Sequence, residues 1–316
     1  MADSIRLAAV VVTYNRCAQI EATLARLLAE PVDHVVVVDN CSTDGTRDWL
    51  AGLDDPRLCL LLPETNLGGA GGFELGLREA VARFDPDWLV VMDDDARPRP
   101  GTMARFRATN LRGWDAAAAA VFYPEGHVCD MNRPALNPFW HLPVFFKTLM
   151  GGGRMGFHMH DGDYDPAGVP RRVDAASFVG LFLSRGAIAK AGYPDGRLFI
   201  YADDTLYTMQ LTRAGGRIGF LPGLTFEHDC STLGANEARV YSPIWKVYFT
   251  YRNGLLMYRY AAGALFWLVL PVVVSKWAWR GRLYGAQRGV YFRLLRYAVA
   301  DALGRRLDRR APDLVD

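Results

Sequence analysis

The sequence predicts an α/β fold: a mostly parallel sheet with helices on both faces, followed by a C-terminal helical appendage. Three observations lead there. Apolar runs of strand length recur, helix-like stretches between them carry their apolar residues on one stripe, and the alternation stops after about residue 255. A length of 316 residues allows one large domain plus such an appendage.

Leu7 to Val12, Val35 to Val38, Leu58 to Leu62 and Trp88 to Met92 are apolar throughout, as suits strands covered on both faces. Ile20, Leu24, Leu27 and Leu28 mark one intervening helix; Phe73, Leu77, Ala80, Val81 and Phe84 mark another. From Gly126 to Arg172 the periodicity fades into Gly, Pro, His and aromatic residues, which predicts a long loop over the site. Regularity returns from Ala175 to Ser184. A helix from Asp203 to Arg213, closed by Gly215-Gly216, and a strand from Ile218 towards His228 follow.

Residues 260 to 275 are uncharged and mostly apolar, but shorter than the roughly 18 to 20 residues of a spanning helix, and they contain Pro271. From Lys276 to Arg310 there are ten Lys or Arg against Asp301 and Asp308, interleaved with Trp277, Trp279, Tyr284, Tyr291, Phe292 and Tyr297. That mixture predicts an anchor at a membrane surface, a buried helical hairpin with one charged face being the alternative. The expected division is residues 1–255 and 256–316.

A formal net charge of +2 argues against a nucleic-acid partner. Five cysteines without a C-x-x-C pair fit neither a disulfide framework nor a zinc knuckle, which points to a reducing cytosol. The N-terminus lacks the pattern of a signal peptide, so a cytoplasmic location is expected.

Polar residues follow each strand: Thr13-Tyr14-Asn15-Arg16, Asp39-Asn40, Asn66, and Asp93-Asp94-Asp95. In open α/β sheets ligands bind outside the carboxyl ends, so these exits converge on one expected nucleotide pocket. Three successive carboxylates repel one another unless a cation or hydrogen bonds compensate them. Mn2+ or Mg2+, held by carboxylates and substrate phosphates, is the natural partner. Alternation favours Asp93 and Asp95 as ligands, with Asp94 replacing one of them in a turn; a solvated acidic turn is the alternative. Asn66 and the glycines after it form a turn feeding a helix. There Gly68 and Gly69 let backbone approach a phosphate or sugar, or the glycines serve close helix packing alone. A dinucleotide-dependent oxidoreductase is disfavoured, because this turn follows the third strand rather than the first. In Asp203-Asp204 one acid is accounted for as an N-cap, and the other suits a general base; Asp204 is the candidate. His228 alone reads as a structural histidine or a metal ligand.

Together, Val-Val-Val-Thr-Tyr-Asn-Arg at 10–16, Val-Val-Asp-Asn-Cys-Ser-Thr-Asp-Gly at 37–45, the Asp triplet and the Asp pair resemble family 2 nucleotide-sugar glycosyltransferases of the GT-A, Rossmann-like type. Asn-Leu-Gly-Gly-Ala-Gly-Gly-Phe at 66–73, Leu-Phe-Ile at 198–200 and Phe-Thr-Tyr-Arg-Asn at 249–253 are similar to bacterial galactofuranosyltransferases. The resemblance covers about residues 7–255. It implies an inverting, metal-dependent transferase moving galactofuranose from UDP-galactofuranose to a lipid-linked glycan, at the inner face of the membrane, in cell-surface polysaccharide synthesis. It implies donor binding by Thr13, Tyr14, Asn15, Arg16 and Asp39, metal ligation by Asp93, Asp95 and His228, and a catalytic base at Asp204; Asn66, Gly68, Gly69, Asp94 and Asp203 are expected beside them in the donor site. Relatives keep an acid two positions beyond the base where this chain has Leu206, a departure that bears on the acceptor. A rhamnosyltransferase using dTDP-rhamnose shares the scaffold, and a catalytically silent sugar-nucleotide or glycan-binding module is the alternative of another class.

Overall fold

The computed structural model describes residues 5–230 and 240–310. In chain order the elements begin with β1 (Leu7–Thr13), α1 (Cys17–Leu28), β2 (His34–Asp39), α2 (Thr46–Ala51), β3 (Leu58–Leu61), α3 (Gly68–Phe84) and β4 (Trp88–Asp93). There follow β5 (Ala96–Pro98), α4 (Thr102–Ala108), β6 (Ala116–Phe122), α5 (Leu142–Lys147), β7 (Arg171–Val173), β8 (Leu181–Ser184), α6 (Arg185–Ala191), α7 (Asp203–Arg213) and β9 (Ile218–His228). Three helices close the chain: α8 (Lys246–Ala262), α9 (Phe266–Arg280) and α10 (Arg288–Gly304).

One sheet, in the order β3-β2-β1-β4-β8-β6-β9-β5 with β7 also on β9, runs through the molecule. The first four strands run parallel to one another, as β6 does to β9, whereas β8 is antiparallel to β4 and β6, and β5 and β7 are antiparallel to β9. The apolar run of β1 is buried at every position because its alternate side chains enter two cores. Ala8, Val10 and Val12 pack with Phe73, Leu77 and Ala80 of α3; Leu7, Ala9 and Val11 pack with Ile20, Leu24 and Leu27 of α1. Helix α3 lies tight on β1, where a Cβ at Gly76 would stand 2.5 Å from Val10 Cγ1 and one at Gly72 2.5 Å from Val12 Cγ1.

Two expectations are corrected. Of residues 175–184 only Leu181–Ser184 form a strand, and Gly180, at φ +67°, still bonds Val91 and Ala119 at its edge. The segment 126–172 is not one loop. It holds α5 and three short 3-10 turns, and Cys129, Asn132, Met159 and Tyr164 pin it to the main body by burial.

Helix α8 begins at Lys246 and runs through residue 255. It packs on α10 through Tyr248, Phe249, Tyr251, Tyr291, Leu294 and Ala298. Helix α9 leaves Trp267, Leu268, Val272 and Trp279 exposed, and beside the excursion's α5 so are Leu142, Phe146, Leu149 and Met150.

Candidate active site

The strand order reverses between β1 and β4, and their carboxyl ends open into a cavity of about 1940 Å3. Register sets the exits level: Thr13 stands beside Asp39, and Val12 beside Asp93. Thr13, Tyr14, Arg16, Asn66, Gly68, Gly69, the Asp triplet, Asp203, Asp204 and His228 all line this cavity. Asn15 and Asp39 do not. The Asn15 side chain accepts from the Thr43 N–H at 2.7 Å, and the buried Asp39 carboxylate is engaged by Arg47 Nε at 2.8 Å and the Ser42 N–H at 3.1 Å. Asn40 takes the wall position instead, donating to the Gly68 carbonyl at 2.8 Å.

The expected glycine turn is itself the first turn of α3. Gly68 has φ +70°, and a Cβ there would meet the Phe199 carbonyl oxygen at 2.1 Å, so that position demands glycine. Gly72 and Gly76 serve close packing, and the two explanations of the glycine run therefore divide along the helix.

The three aspartates have different partners. Asp94 accepts from the Thr13 hydroxyl at 2.8 Å, while Arg16 Nη1 reaches Asp95 at 2.5 Å and Asp94 at 3.3 Å. Pairing of Ala96 with His228 across β5 and β9 brings the imidazole to the triplet, with Nε2 3.1 Å from Asp95 Oδ1. Asp93 has no hydrogen-bond or salt-bridge partner among the described residues. Burial and then the neighbouring Asp95 push its carboxyl up to about 7. Burial also raises Asp94, to about 6 against the pull of Arg16, whereas for Asp95 burial is outweighed by His228 and Arg16 and its carboxyl is lowered. His228 is opposed by burial but lifted to about 10 by its bonds to Asp95 and Cys129 and the charges of Asp95 and Asp93. Asp93, Asp95 and His228 each offer one donor atom, all within 4.8 Å of one another. A set of two carboxylates and one imidazole, with one carboxylate otherwise unpartnered, fits a divalent ion.

Asp203 and Asp204 are N1 and N2 of α7, and neither is its N-cap; Ala202 holds that place at φ +60°. Phe199 and Tyr201 also have positive φ, so three non-glycine residues of four sit in the left-handed region, at a cost of roughly 1–3 kcal/mol each. The fully buried Arg252 and Asn253 of α8 hold this bend. Asn253 Nδ2 lies within donating distance of the carbonyls of Leu198, Ile200 and Tyr201, at 2.9, 2.8 and 3.0 Å. Arg252 Nη2 donates to the Leu198 carbonyl at 3.0 Å, and Arg252 Nε to Asn253 Oδ1 at 2.9 Å. The clamp presents Asp204 with one oxygen fixed by the Thr205 N–H at 2.5 Å and its hydroxyl at 3.1 Å. Burial raises the Asp204 carboxyl, and burial followed by the Asp204 charge pushes Asp203 up to about 8. Leu206, in place of an acid, is buried against Ala70 and Leu198.

Sequence reasoning named Asn40 only as a polar strand exit, and it missed Asn132 and the positioning pair Arg252-Asn253. The pair lies inside the quoted 249–253 motif, but only the fold reveals that it grips a loop about fifty residues earlier. Asn132, whose Oδ1 is 2.7 Å from His228 Nδ1, sits in the irregular segment and carries no local signal. Asn253→Ala removes the grip on the three carbonyls and frees the strained bend. Turnover is expected to fall by roughly tenfold or more, the scale of misplacing a reacting group, with the donor KM little changed, as steady-state kinetics would read.

The glycosyl transferase family 2 model matches residues 8–168. Galactofuranosyltransferase GlfT1 of Mycolicibacterium smegmatis is 30% identical over 255 residues, 78% of this chain and 80% of that one. An undecaprenyl-phosphate mannosyltransferase of Micrococcus luteus is 36% identical over 149 residues, 46% of this chain and 60% of that one. Among solved structures, a mannosyltransferase from Pyrobaculum calidifontis in complex with GDP-Man and Mn2+ superposes with a TM-score of 0.52 at 17% identity, covering 97% of this chain and 88% of that one, a likeness of fold. With the sheet, the crevice at its carboxyl ends and the family match agreeing, the chain belongs to glycosyl transferase family 2 and is a nucleotide-sugar glycosyltransferase of the GT-A fold.

Proposed function

We propose that this protein is an inverting, metal-dependent galactofuranosyltransferase that moves galactofuranose from UDP-galactofuranose to a lipid-linked glycan in bacterial cell-surface polysaccharide synthesis. The observation that carries the reading is the convergence of Asp93, Asp95, His228 and Asp204 on one cavity from three separate parts of the chain. A silent glycan-binding module has no use for that set. The choice of sugar follows the galactofuranosyltransferase relative, and the lipid-linked acceptor follows the undecaprenyl-phosphate relative.

In this mechanism Thr13, Tyr14, Arg16, Asn40 and Asn66 bound the donor end of the cavity, and Gly68 and Gly69 admit the donor close to backbone. Asp93, Asp95 and His228 would hold Mn2+, or Mg2+, which when bound supplies Lewis-acid stabilisation to the departing diphosphate. The imidazole favours Mn2+ of the two. Asp204 takes the proton from the attacking acceptor hydroxyl, and a single displacement inverts the anomeric centre. Its raised pKa makes it a stronger base than an exposed carboxylate.

The C-terminal helices supply the membrane contact. The helical run that contains α9 is long and apolar enough, by length and composition alone, to cross a membrane; α9 itself, 15 residues rising about 22 Å with Lys276 and Arg280 in its last turns, suits lying in the interface. Its exposed Trp267, Leu268, Val272 and Trp279 and the neighbouring Lys276, Arg280 and Arg282 match an anionic lipid surface. The exposed Leu149 and Met150 of the excursion add to the apolar surface. A peripheral position on the cytoplasmic face follows.

Asp204→Asn should leave donor binding nearly intact and cut transfer by about 10²- to 10⁴-fold; full activity removes Asp204 from the mechanism. A thermal-shift screen should show stabilisation by UDP-galactofuranose only with Mn2+, whereas stabilisation by dTDP-rhamnose would favour the rhamnosyl donor. Because Asp93 is raised from its ordinary 3.8 to about 7, its contribution to stability is present below 3.8 and lost as pH rises through about 7. Metal-free protein should therefore lose Tm across that window. The half-saturating Mn2+ concentration should fall with rising pH, by up to about tenfold per unit for each proton displaced from Asp93 and His228. In flotation with phosphatidylglycerol-containing vesicles, Leu268→Asp with Val272→Asp should lower the bound fraction several-fold at unchanged Tm; undiminished flotation would remove α9 as the anchor.

A further inference from the structure

The imidazole of His228 faces two chemically opposite donor sets. Its Nε2 looks towards Asp95 Oδ1 at 3.1 Å, and its Nδ1 looks the other way, 4.0 Å from the Sγ of Cys129. The thiols of Cys129 and Cys230 and the His228 ring form a group whose donor atoms all lie within 4.8 Å of one another, just as Asp93, Asp95 and His228 do on the other side. The two cysteines come from distant places. Cys129 is buried where the segment after β6 folds back on the sheet, its N–H bonded to the Val121 carbonyl, and Cys230 lies two residues beyond the end of β9.

We infer that Cys129, Cys230 and Nδ1 of His228 form a second metal site, selective for a thiophilic divalent ion such as Zn2+, which competes with the carboxylate site for the one imidazole they share.

Four-coordinate zinc with Zn–S of about 2.3 Å and Zn–N of about 2.0 Å sets its ligand atoms roughly 3.5–3.8 Å apart, so the observed group closes on an ion with a small inward shift. Thiolates prefer Zn2+ and carboxylates prefer Mn2+ or Mg2+, which makes the two sides of the ring selective for different ions. Asn132 Oδ1, 3.0 Å from Cys129 Sγ and 2.7 Å from Nδ1, stands where a fourth, oxygen donor is needed.

Competition follows from the ring itself. A neutral imidazole has one lone pair in its plane. Ligation through Nε2 leaves the proton on Nδ1, directed at Asn132 Oδ1, and this is the form the carboxylate site needs. Ligation through Nδ1 puts the proton on Nε2, facing Asp95, and takes the third ligand from that site. Zn2+ on the thiol side thus silences transfer by withdrawing His228 from the carboxylate site, without contact with Asp204.

The thiol site stands on its own geometry, and only the competition rests on the proposed function, so the two are read separately. Full-length protein, kept in a non-metal-binding reductant and freed of metal, is titrated with Co2+ while near-ultraviolet absorption is recorded. A thiolate-to-cobalt charge-transfer band, displaced by stoichiometric Zn2+ and lost in Cys129→Ser/Cys230→Ser, is expected; its absence overturns the site. Because the double variant keeps Asp93, Asp95 and His228, its Mn2+-dependent thermal shift should persist, which checks that it is folded. Zn2+ should also raise the half-saturating Mn2+ concentration in that assay, and the double substitution should weaken this antagonism by about tenfold or more. Antagonism of equal strength in the double variant would place the Zn2+ on the carboxylates and overturn the competition. A missing Mn2+ shift in wild type would instead count against the carboxylate site and leave the cobalt band to decide the thiol site.

Discussion

Five carboxylates, Asp93, Asp94, Asp95, Asp203 and Asp204, are held at one end of a buried sheet, and their mutual repulsion sets the terms for the rest of the structure. Like charges at such spacing in a poorly solvated place are tolerated only where opposite charge or donors are supplied. Arg16 reaches two of them, Thr13 a third acceptor position, and the Thr205 N–H the last. His228 is drawn to about 10 by the same field. Among the described residues Asp93 is left without a hydrogen-bond or salt-bridge partner.

Holding such a cluster requires rigid support, and two devices supply it. The strands fix Thr13, Asp93 and His228 by register, since each is the last residue of a buried strand. The second device is less regular. Asp203 and Asp204 enter from a strained bend that persists because Arg252 and Asn253, with no exposure at all, saturate its carbonyls. Helix α8 therefore serves the candidate site as much as the C-terminal bundle, which is joined by covalent continuity to the clamp on the bend before Asp203 and Asp204.

That continuity bears on the boundary expected at residue 255. It falls inside α8, between the residues that grip the bend and those that pack beside α9. Composition changes there, but the helix does not, because one side of α8 serves the active site while a later turn serves the apolar bundle.

What the sequence by itself determined was the part governed by short-range periodicity. The four parallel strands, the helices α1, α3 and α7 and the strand to His228 were legible because burial on two faces leaves continuous apolar runs and burial on one face leaves a stripe. The polar residues at the strand ends were legible for the same reason, as interruptions of those runs. Tertiary structure alone decided which of them meet. Asp39 turned inward to Arg47 and Asn15 bonded Thr43 at the surface while Asn40 took the wall, a choice made by neighbouring donors. The grip of Arg252 and Asn253, and the approach of Cys129 and Asn132 to His228, join residues about 50 to 100 positions apart through loops without periodicity, and no local pattern encodes a contact made across such a distance.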